Sequence, residues 1–262
     1  MKKPIITVVI VVLALAVAGV GGFIIYKNIS NQNTEENYKK ISESYVAETT
    51  GSQASTEKKK NLPANPVDFA SLRERNPDIY GWIKVKGTEV DYPVLQSENN
   101  DNFYIDHDVD KNYAFAGSIY SQMCNRRDFS DRVTVLYGHN MANNSMFASL
   151  HSFEDPEFFK KHKDMTIYID GARLDYVVVS AYIYDDSHIM NSFNFSDDKV
   201  YSDFLASVLK PRSLSSNVRN GVTLDTDDKI VILSTCLNAG DGRYLVVGKL
   251  KKQTELQKST KN

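Results

Sequence analysis

The stretch VILSTCLNAGDGRYLVVGKL, residues 231–250, contains two runs rich in β-branched and aromatic residues, separated by a loop with two glycines. The first run ends at Cys236, one of only two cysteines in the chain, and Arg243 opens the second run. Because glycine permits a tight turn, the runs are expected to be neighbouring strands that bring the guanidinium back level with the thiol. A cysteine reacts as its thiolate, which needs a nearby cation or base. The stretch therefore predicts a sheet with a reactive cysteine at a strand end.

Most of the chain after residue 78 has the same strand-like character, in short runs bounded by Gly, Asp, Asn or Pro. About eight such runs indicate a mainly β protein with a closed or nearly closed barrel. The runs are YGWIKV, VDYPVL, GSIYSQM, VTVLYG, MTIYID, RLDYVVVSAYIY, KIVILST and RYLVVGKL.

Three helices are predicted around these strands. An amino-terminal helix is expected to begin with Asn65 as its cap and Pro66 in its first turn, and to end at Asn76, before Pro77. The stretch SMFASLHSFEDPEFFKKH is predicted to form one or two helical pieces, and SDDKVYSDFLASVLK a helix capped by Ser196. The apolar stripe of this last helix is expected to pack on the core.

The amino terminus predicts a membrane segment. Residues 5–26 form a run of 22 uncharged, mostly apolar residues, and about 20 such residues span a bilayer as a helix. Lys2 and Lys3 precede the run, which places the amino terminus in the cytosol and the rest of the chain outside. The alternative is a cleaved signal peptide, which also exports the domain.

Composition divides the chain into four parts and argues against nucleic-acid binding. Residues 1–27 are predicted to be a cytosolic tip and transmembrane anchor, 28–65 a polar extracellular linker, 66–252 the folded domain that contains Cys236, and 253–262 a polar tail. With 262 residues, 42% of them hydrophobic, the chain can bury a core without disulfides. A net charge of −2 offers no general attraction for nucleic acid.

Among the five histidines, His139 is the best partner for Cys236. It follows the apolar run VTVLYG, just as Cys236 follows KIVILST, so two strands of one barrel ending side by side would bring imidazole and thiol to one rim. The other four histidines, and Cys124 in its polar loop, are interpreted as incidental. With Arg243 as a clamp for a carbonyl or oxyanion, the three residues predict acyl transfer through a thioester.

These motifs resemble those of the sortases, the cysteine transpeptidases of Gram-positive bacteria. The resemblance covers roughly residues 66–250. It rests on LYGHNM followed by SMF, on LSTC, and on the arginine of GRYLVVGKL. The run NFYIDHD followed by GSIY, and the helix before KIVILSTC, are similar to class B members.

The resemblance implies a role for each matching residue. It makes His139 the general acid and base, Cys236 the nucleophile and Arg243 the clamp. It also implies that Ser234, Ile105 and Met190 line the substrate groove. Several class B enzymes have an acidic residue two positions after the cysteine, where this chain has Asn238, and Asp241 is a possible substitute.

The resemblance also implies a closed eight-stranded barrel, partners and a location. The expected substrates are secreted proteins with a carboxy-terminal sorting signal, and the acceptor is an amine of a peptidoglycan cross-bridge or a pilin lysine. The expected location is the cell membrane, crossed once, with the catalytic domain outside. No cofactor is implied, and the sequence has no metal-ligand motif, since the acidic run around Asp106 lacks the glycine and closing glutamate of a calcium loop.

Two other functions stay open at this point. A secreted cysteine peptidase or cell-wall amidase usually has its nucleophile at a helix amino terminus and before the histidine in sequence, whereas here the histidine comes first. A membrane-tethered binding module with an incidental thiol is the non-enzymatic alternative.

Overall fold

The structure, a computed structural model, describes residues 3–47, 62–238 and 240–259, with side chains from residue 12 onward except residue 14. The strands in these ranges are β1 Ile79–Val85, β2 Asp91–Leu95, β3 Ile119–Tyr120, β4 Val133–Tyr137, β5 Asp164–Ile169, β6 Ala172–Tyr184, β7 Ser216–Val218, β8 Ile230–Cys236 and β9 Arg243–Glu255. The helices are α1 Lys3–Tyr45, α2 Phe69–Arg75, α3 Pro156–Lys161, α4 Ile189–Ser192 and α5 Asp198–Leu209, with 3-10 helices at Phe103–Ile105 and Ala148–Glu154.

The strands form a closed barrel. They are ordered β5-β1-β2-β3-β4-β8-β9-β6-β7, and β5 also pairs with β6, which closes a ring of eight strands. The eight predicted runs are the strands of this ring, so the predicted barrel is confirmed. The short β7 was not predicted; it pairs only with the outer part of β6, from Ser180 to Tyr182.

Two apolar clusters explain why several strands are apolar on both faces. One cluster fills the barrel and includes Trp82, Leu136 and Leu233. The second lies between the outer faces of β4, β6, β8 and β9 and helix α5. Strand β8 is therefore buried from Ile230 through Thr235, and only Cys236 at its end is exposed. The α5 stripe packs on the core as predicted, through Phe204, Leu205 and Val208.

Helix α1 differs from the prediction over its second half. Residues 28–45 continue the helix, and Tyr38 and Ile41 are each only 1% exposed. The Tyr38 hydroxyl donates to the Gly117 carbonyl at 3.1 Å and shares a 2.7 Å hydrogen bond with Ser118. This part of the predicted polar linker is therefore helical and packed, because two apolar side chains three positions apart dock one face of an otherwise polar stretch. Residues 48–61 of that linker lie outside the described residues.

The predicted membrane anchor, residues 5–26, forms part of α1. Across the described residues, the structure contains no helix that is both long and apolar enough to cross a membrane. The side chains of residues 5–11 and 14 lie outside the described part.

The element ends correct three smaller predictions. The α2 cap is Asp68, which accepts from the Ser71 amide at 3.1 Å, and not Asn65. The α5 cap is Asp197, one residue after the predicted Ser196, because its carboxylate accepts from two helical amides. Strand β9 continues to Glu255, so the first three residues of the predicted polar tail, 253–255, belong to β9 and pair with β6.

Candidate active site

The parallel pairing of β4 with β8 brings His139 and Cys236 to one rim. The two strands run in step, with Tyr137 opposite Ser234, and the Gly138 amide continues the pairing by donating to the Ser234 carbonyl at 3.2 Å. His139 and Cys236 each come two residues after this matched pair. Because parallel strands end at the same edge, both side chains reach the same end of the barrel.

Gly138 permits the close packing that this arrangement needs. A Cβ atom at this position would lie 2.5 Å from Ile119 Cδ1 and 2.8 Å from Phe147 Cδ2. A side chain there would force Ile119 or Phe147 to move, next to the residue that carries the imidazole.

Arg243 is opposite Cys236 in the β8–β9 ladder. Its Nη1 lies 3.5 Å from the Cys236 sulfur and donates to the Gly242 carbonyl at 3.3 Å. The loop between the strands turns back through Gly240 and Gly242, which have φ angles of +82° and +130°. These conformations suit glycine, and they return the guanidinium to the level of the thiol, as the sequence predicts.

A small cavity of about 70 Å³ joins these side chains. Ser234 lies in its wall and is only 4% exposed, whereas Ile105, at its mouth, is 42% exposed. The lining residues are Ile105, Tyr120, Tyr137, Gly138, His139, Ser234, Thr235, Cys236 and Arg243. Five of the six predicted site residues therefore lie around one cavity. Met190, the sixth, is half-buried in α4, where it packs against the second apolar cluster.

His139 is turned toward the 3-10 helix side of the cavity. Its Nε2 lies 2.6 Å from the Ile105 carbonyl, and its ring stacks on Phe115 at 5.9 Å. A carbonyl only accepts, so Nε2 carries a proton in this arrangement. Among the described residues, His139 and Cys236 share no hydrogen bond. Hydrogen bonds of this kind often tighten only when substrate is bound.

Two tyrosines line the cavity that the sequence interpretation did not include. Burial raises the pKa of Tyr120 to about 12, although the nearby Arg243 opposes this rise. Burial also raises the pKa of Tyr137. Both phenols are therefore neutral near pH 7, and Arg243 is the one permanent cation among the described residues that line the cavity.

Cys124, Asp110 and Asp241 lie outside this cavity. Both cysteines are free thiols, and burial raises the pKa of the Cys124 thiol. Asp241 is exposed in the loop before Arg243. Asp110 is held by Arg75 through contacts of 2.6 and 2.7 Å.

Asn140 and His151 contact the nucleophile candidate, and the sequence interpretation missed both. The Cys236 carbonyl accepts from His151 Nε2 at 3.0 Å and from Asn140 Nδ2 at 3.1 Å. The sequence could indicate only the pairing of His151 with Glu154, because residues three positions apart lie on one face of a helix. The contact with Cys236 joins residues 85 positions apart and gives no sequence signal.

Known proteins match both the sequence and the fold. The sortase-domain family model matches residues 83–251. Sortase B of Listeria monocytogenes is 31% identical over 236 residues, covering 87% of this chain and 88% of that protein. The structure of Clostridium perfringens sortase B superposes with a TM-score of 0.63 at 34% identity, covering 70% of this chain and 99% of that one. A substrate complex of Staphylococcus aureus sortase B has a TM-score of 0.67 at 27% identity, covering 86% and 99%.

The region matched by the family model begins within β1 and ends within β9, so it contains the strands between them and the cavity around Cys236. The resemblance to class B enzymes noted in the sequence is confirmed by these relatives. The chain therefore belongs to the sortase family and is a cysteine transpeptidase similar to the class B sortases.

Proposed function

We propose that Cys236 is the nucleophile that cleaves a carboxy-terminal sorting signal. The Cys236 thiolate attacks the scissile carbonyl, so that a carbon–sulfur bond forms and the carbonyl oxygen becomes an oxyanion. Arg243 donates to that oxyanion. The carbon–nitrogen bond then breaks, and the leaving amine takes a proton from His139.

In the second half of the reaction, an amine acceptor attacks the thioester. His139, now neutral, takes a proton from the attacking amine, the new carbon–nitrogen bond forms, and the carbon–sulfur bond breaks to return the thiolate. The proposed acceptor is the amine of a peptidoglycan cross-bridge or of a pilin lysine.

One observation carries this assignment. The Arg243 guanidinium lies 3.5 Å from the Cys236 sulfur at the strand ends that also carry His139. A planar cation at this position favours the thiolate and is also close to the carbon that the thiolate attacks. A binding module with an incidental thiol has no need for this pairing, and a peptidase with its nucleophile on a helix does not match a cysteine at the end of β8.

The proposed substrate contacts follow from the cavity wall. Ser234, buried beneath the thiol, and Ile105, exposed at the mouth, are the proposed contacts for the sorting signal. Met190 is proposed as a more distant contact, because α4 follows its cap residue His188, whose Nε2 bonds to Gln122 and whose ring lies 6.3 Å from that of Tyr137.

Residues 5–26 are proposed as a single membrane anchor, with the catalytic domain outside a Gram-positive cell. The support is their length and lack of charge, with Lys2 and Lys3 before them. The test is extraction of the full chain from membranes: we expect release by detergent and not by high salt. Release by salt alone would contradict the anchor.

The test of the chemistry is intact-mass spectrometry of the protein incubated with a library of sorting-signal peptides. An adduct equal to the acyl fragment, located at Cys236 by peptide mapping, supports the mechanism. Adding candidate amines then separates acceptors: loss of the adduct with a cross-bridge peptide indicates cell-wall anchoring, and loss with a pilin lysine peptide indicates polymerisation. Cleavage without any Cys236 adduct would contradict the proposal.

A further inference from the structure

The Cys236 carbonyl is held by a polar network behind the catalytic cavity. His151 Nε2 lies 3.0 Å from this oxygen, and Asn140 Nδ2 lies 3.1 Å from it. Asn140 Nδ2 also donates to Asn238 Oδ1 at 2.8 Å. The residue that follows His139 is thereby joined both to the nucleophile candidate and to the loop after it.

The partners of His151 determine where its protons lie. Nδ1 faces the Glu154 carboxylate at 2.5 Å and Nε2 faces the Cys236 carbonyl, and both oxygens act as acceptors. A carbonyl only accepts, so Nε2 carries the hydrogen that it donates to the Cys236 oxygen, and Nδ1 pairs with Glu154. The Asn140 amide, 3.2 Å from Nε2, uses its two hydrogens on Cys236 and Asn238.

Packing holds the His151 ring in this orientation. Its ring stacks on Tyr244, with centroids 4.9 Å apart, and its side chain is only 11% exposed. Tyr244 is itself 1% exposed and follows Arg243 on β9. The same strand therefore supports the guanidinium in front of Cys236 and the histidine that binds its carbonyl.

We propose that His151 is a positioning residue for the nucleophile, a role that rests on the proposed assignment of Cys236. The pairing of β8 with β4 ends at Ser234, so Cys236, the last residue of β8, is paired only with Arg243 of β9. The hydrogen bond from His151 to its carbonyl restrains the peptide plane and, through it, the direction of the sulfur toward Arg243.

The test compares three variants in a Cys124→Ser background, so that Cys236 is the only thiol. His151→Leu removes the donor at similar volume, His151→Gln keeps an amide donor that can reach the carbonyl, and His162→Leu is the matched control. His162 also stacks on an aromatic ring, that of Phe158 at 4.2 Å, and does not line the catalytic cavity.

The first measurement is the rate at which iodoacetamide alkylates Cys236 at a fixed pH, which needs no substrate. We expect His151→Leu to slow alkylation about tenfold, His151→Gln to restore most of the rate, and His162→Leu to stay within twofold of the parent. Equal rates in the parent and in His151→Leu would overturn the proposal, as would equal losses in the Leu and Gln variants, which would indicate packing alone.

The second measurement is acylation by a sorting-signal peptide. A positioning role lowers the acylation rate at saturating peptide and leaves KM within about twofold, whereas loss of the groove raises KM. Failure of the parent to form an acyl-enzyme, together with slow alkylation of His151→Leu, would count against the proposed substrate and not against His151. Thermal unfolding of each variant identifies a folding defect.

Discussion

Replacement of Arg243 by lysine tests the role of the guanidinium at constant charge. Arg243 Nη1 donates to the Cys236 sulfur at 3.5 Å and to the Gly242 carbonyl at 3.3 Å. Nε and Nη2 donate to none of the described residues, so they are free to bind a substrate carbonyl. A lysine has one nitrogen on a flexible stem, and it cannot serve both the sulfur and the oxyanion in fixed geometry.

The expected size of the effect follows from the loss of one oxyanion donor. Such a loss costs on the order of 10²- to 10³-fold in turnover, which corresponds to roughly 2.7–4 kcal/mol of transition-state stabilisation. A surface ion pair, in contrast, contributes only about 0 to 1 kcal/mol. The two roles therefore predict rates that differ by at least tenfold.

The assay is single-turnover acylation at saturating peptide, with thermal unfolding as the folding control. Arg73→Lys is the matched variant, because Arg73 is 42% exposed and pairs with Asp170 at 2.9 Å at the protein surface. We expect Arg73→Lys to acylate at the parent rate and Arg243→Lys to be slower by two to three orders of magnitude, with both folded. An Arg243→Lys rate within threefold of the parent would refute the reasoning and reduce the proposed site to His139 and Cys236.

Three further predictions follow from the same structure. Cys236→Ala should fold normally, because the thiol is exposed at a rim, and intact-mass spectra should show no acyl-enzyme. Cys124→Ser should keep most activity, and cleavage of substrate by Cys236→Ala would exclude Cys236 as the nucleophile. A chain beginning at residue 62 lacks the buried Tyr38, and deleting a large buried side chain costs about 2–5 kcal/mol. This chain should therefore unfold at a lower temperature than a chain beginning at residue 33, and equal melting temperatures would show that α1 adds no stability. The Arg75 guanidinium lowers the pKa of the Asp110 carboxyl, so this pair stabilises the fold at pH values above the usual pKa of an aspartate, near 4, and the stabilisation is lost as the pH falls below that value. In Asp110→Asn, the free energy of unfolding should therefore fall less steeply with decreasing pH below about 4, and an unchanged slope would contradict the assignment.

Much of the barrel can be predicted from local sequence. Each strand of the ring is a run of β-branched and aromatic residues bounded by turn-forming residues, because a strand buried on one or both faces needs that composition. The strand ends at His139, Cys236 and Arg243 were visible for the same reason, since each lies where an apolar run meets a polar or glycine-rich loop. The motifs around these residues were enough to indicate the family.

Tertiary structure decided the rest, because it depends on contacts between distant parts of the chain. The pairings of β1 with β5 and of β6 with β9 close the ring, and the parallel pairing of β4 with β8 brings His139 and Cys236 to one rim. These pairings join strands that are distant in sequence and have no local signal. Helix α1 reads as polar beyond residue 28, yet Tyr38 docks it on residues 79 and 80 positions away, Gly117 and Ser118. The hydrogen bond from His151 to the Cys236 carbonyl likewise has no sequence signal. Every residue has a backbone carbonyl that can accept, and only the packing of the folded chain decides which carbonyl a histidine binds.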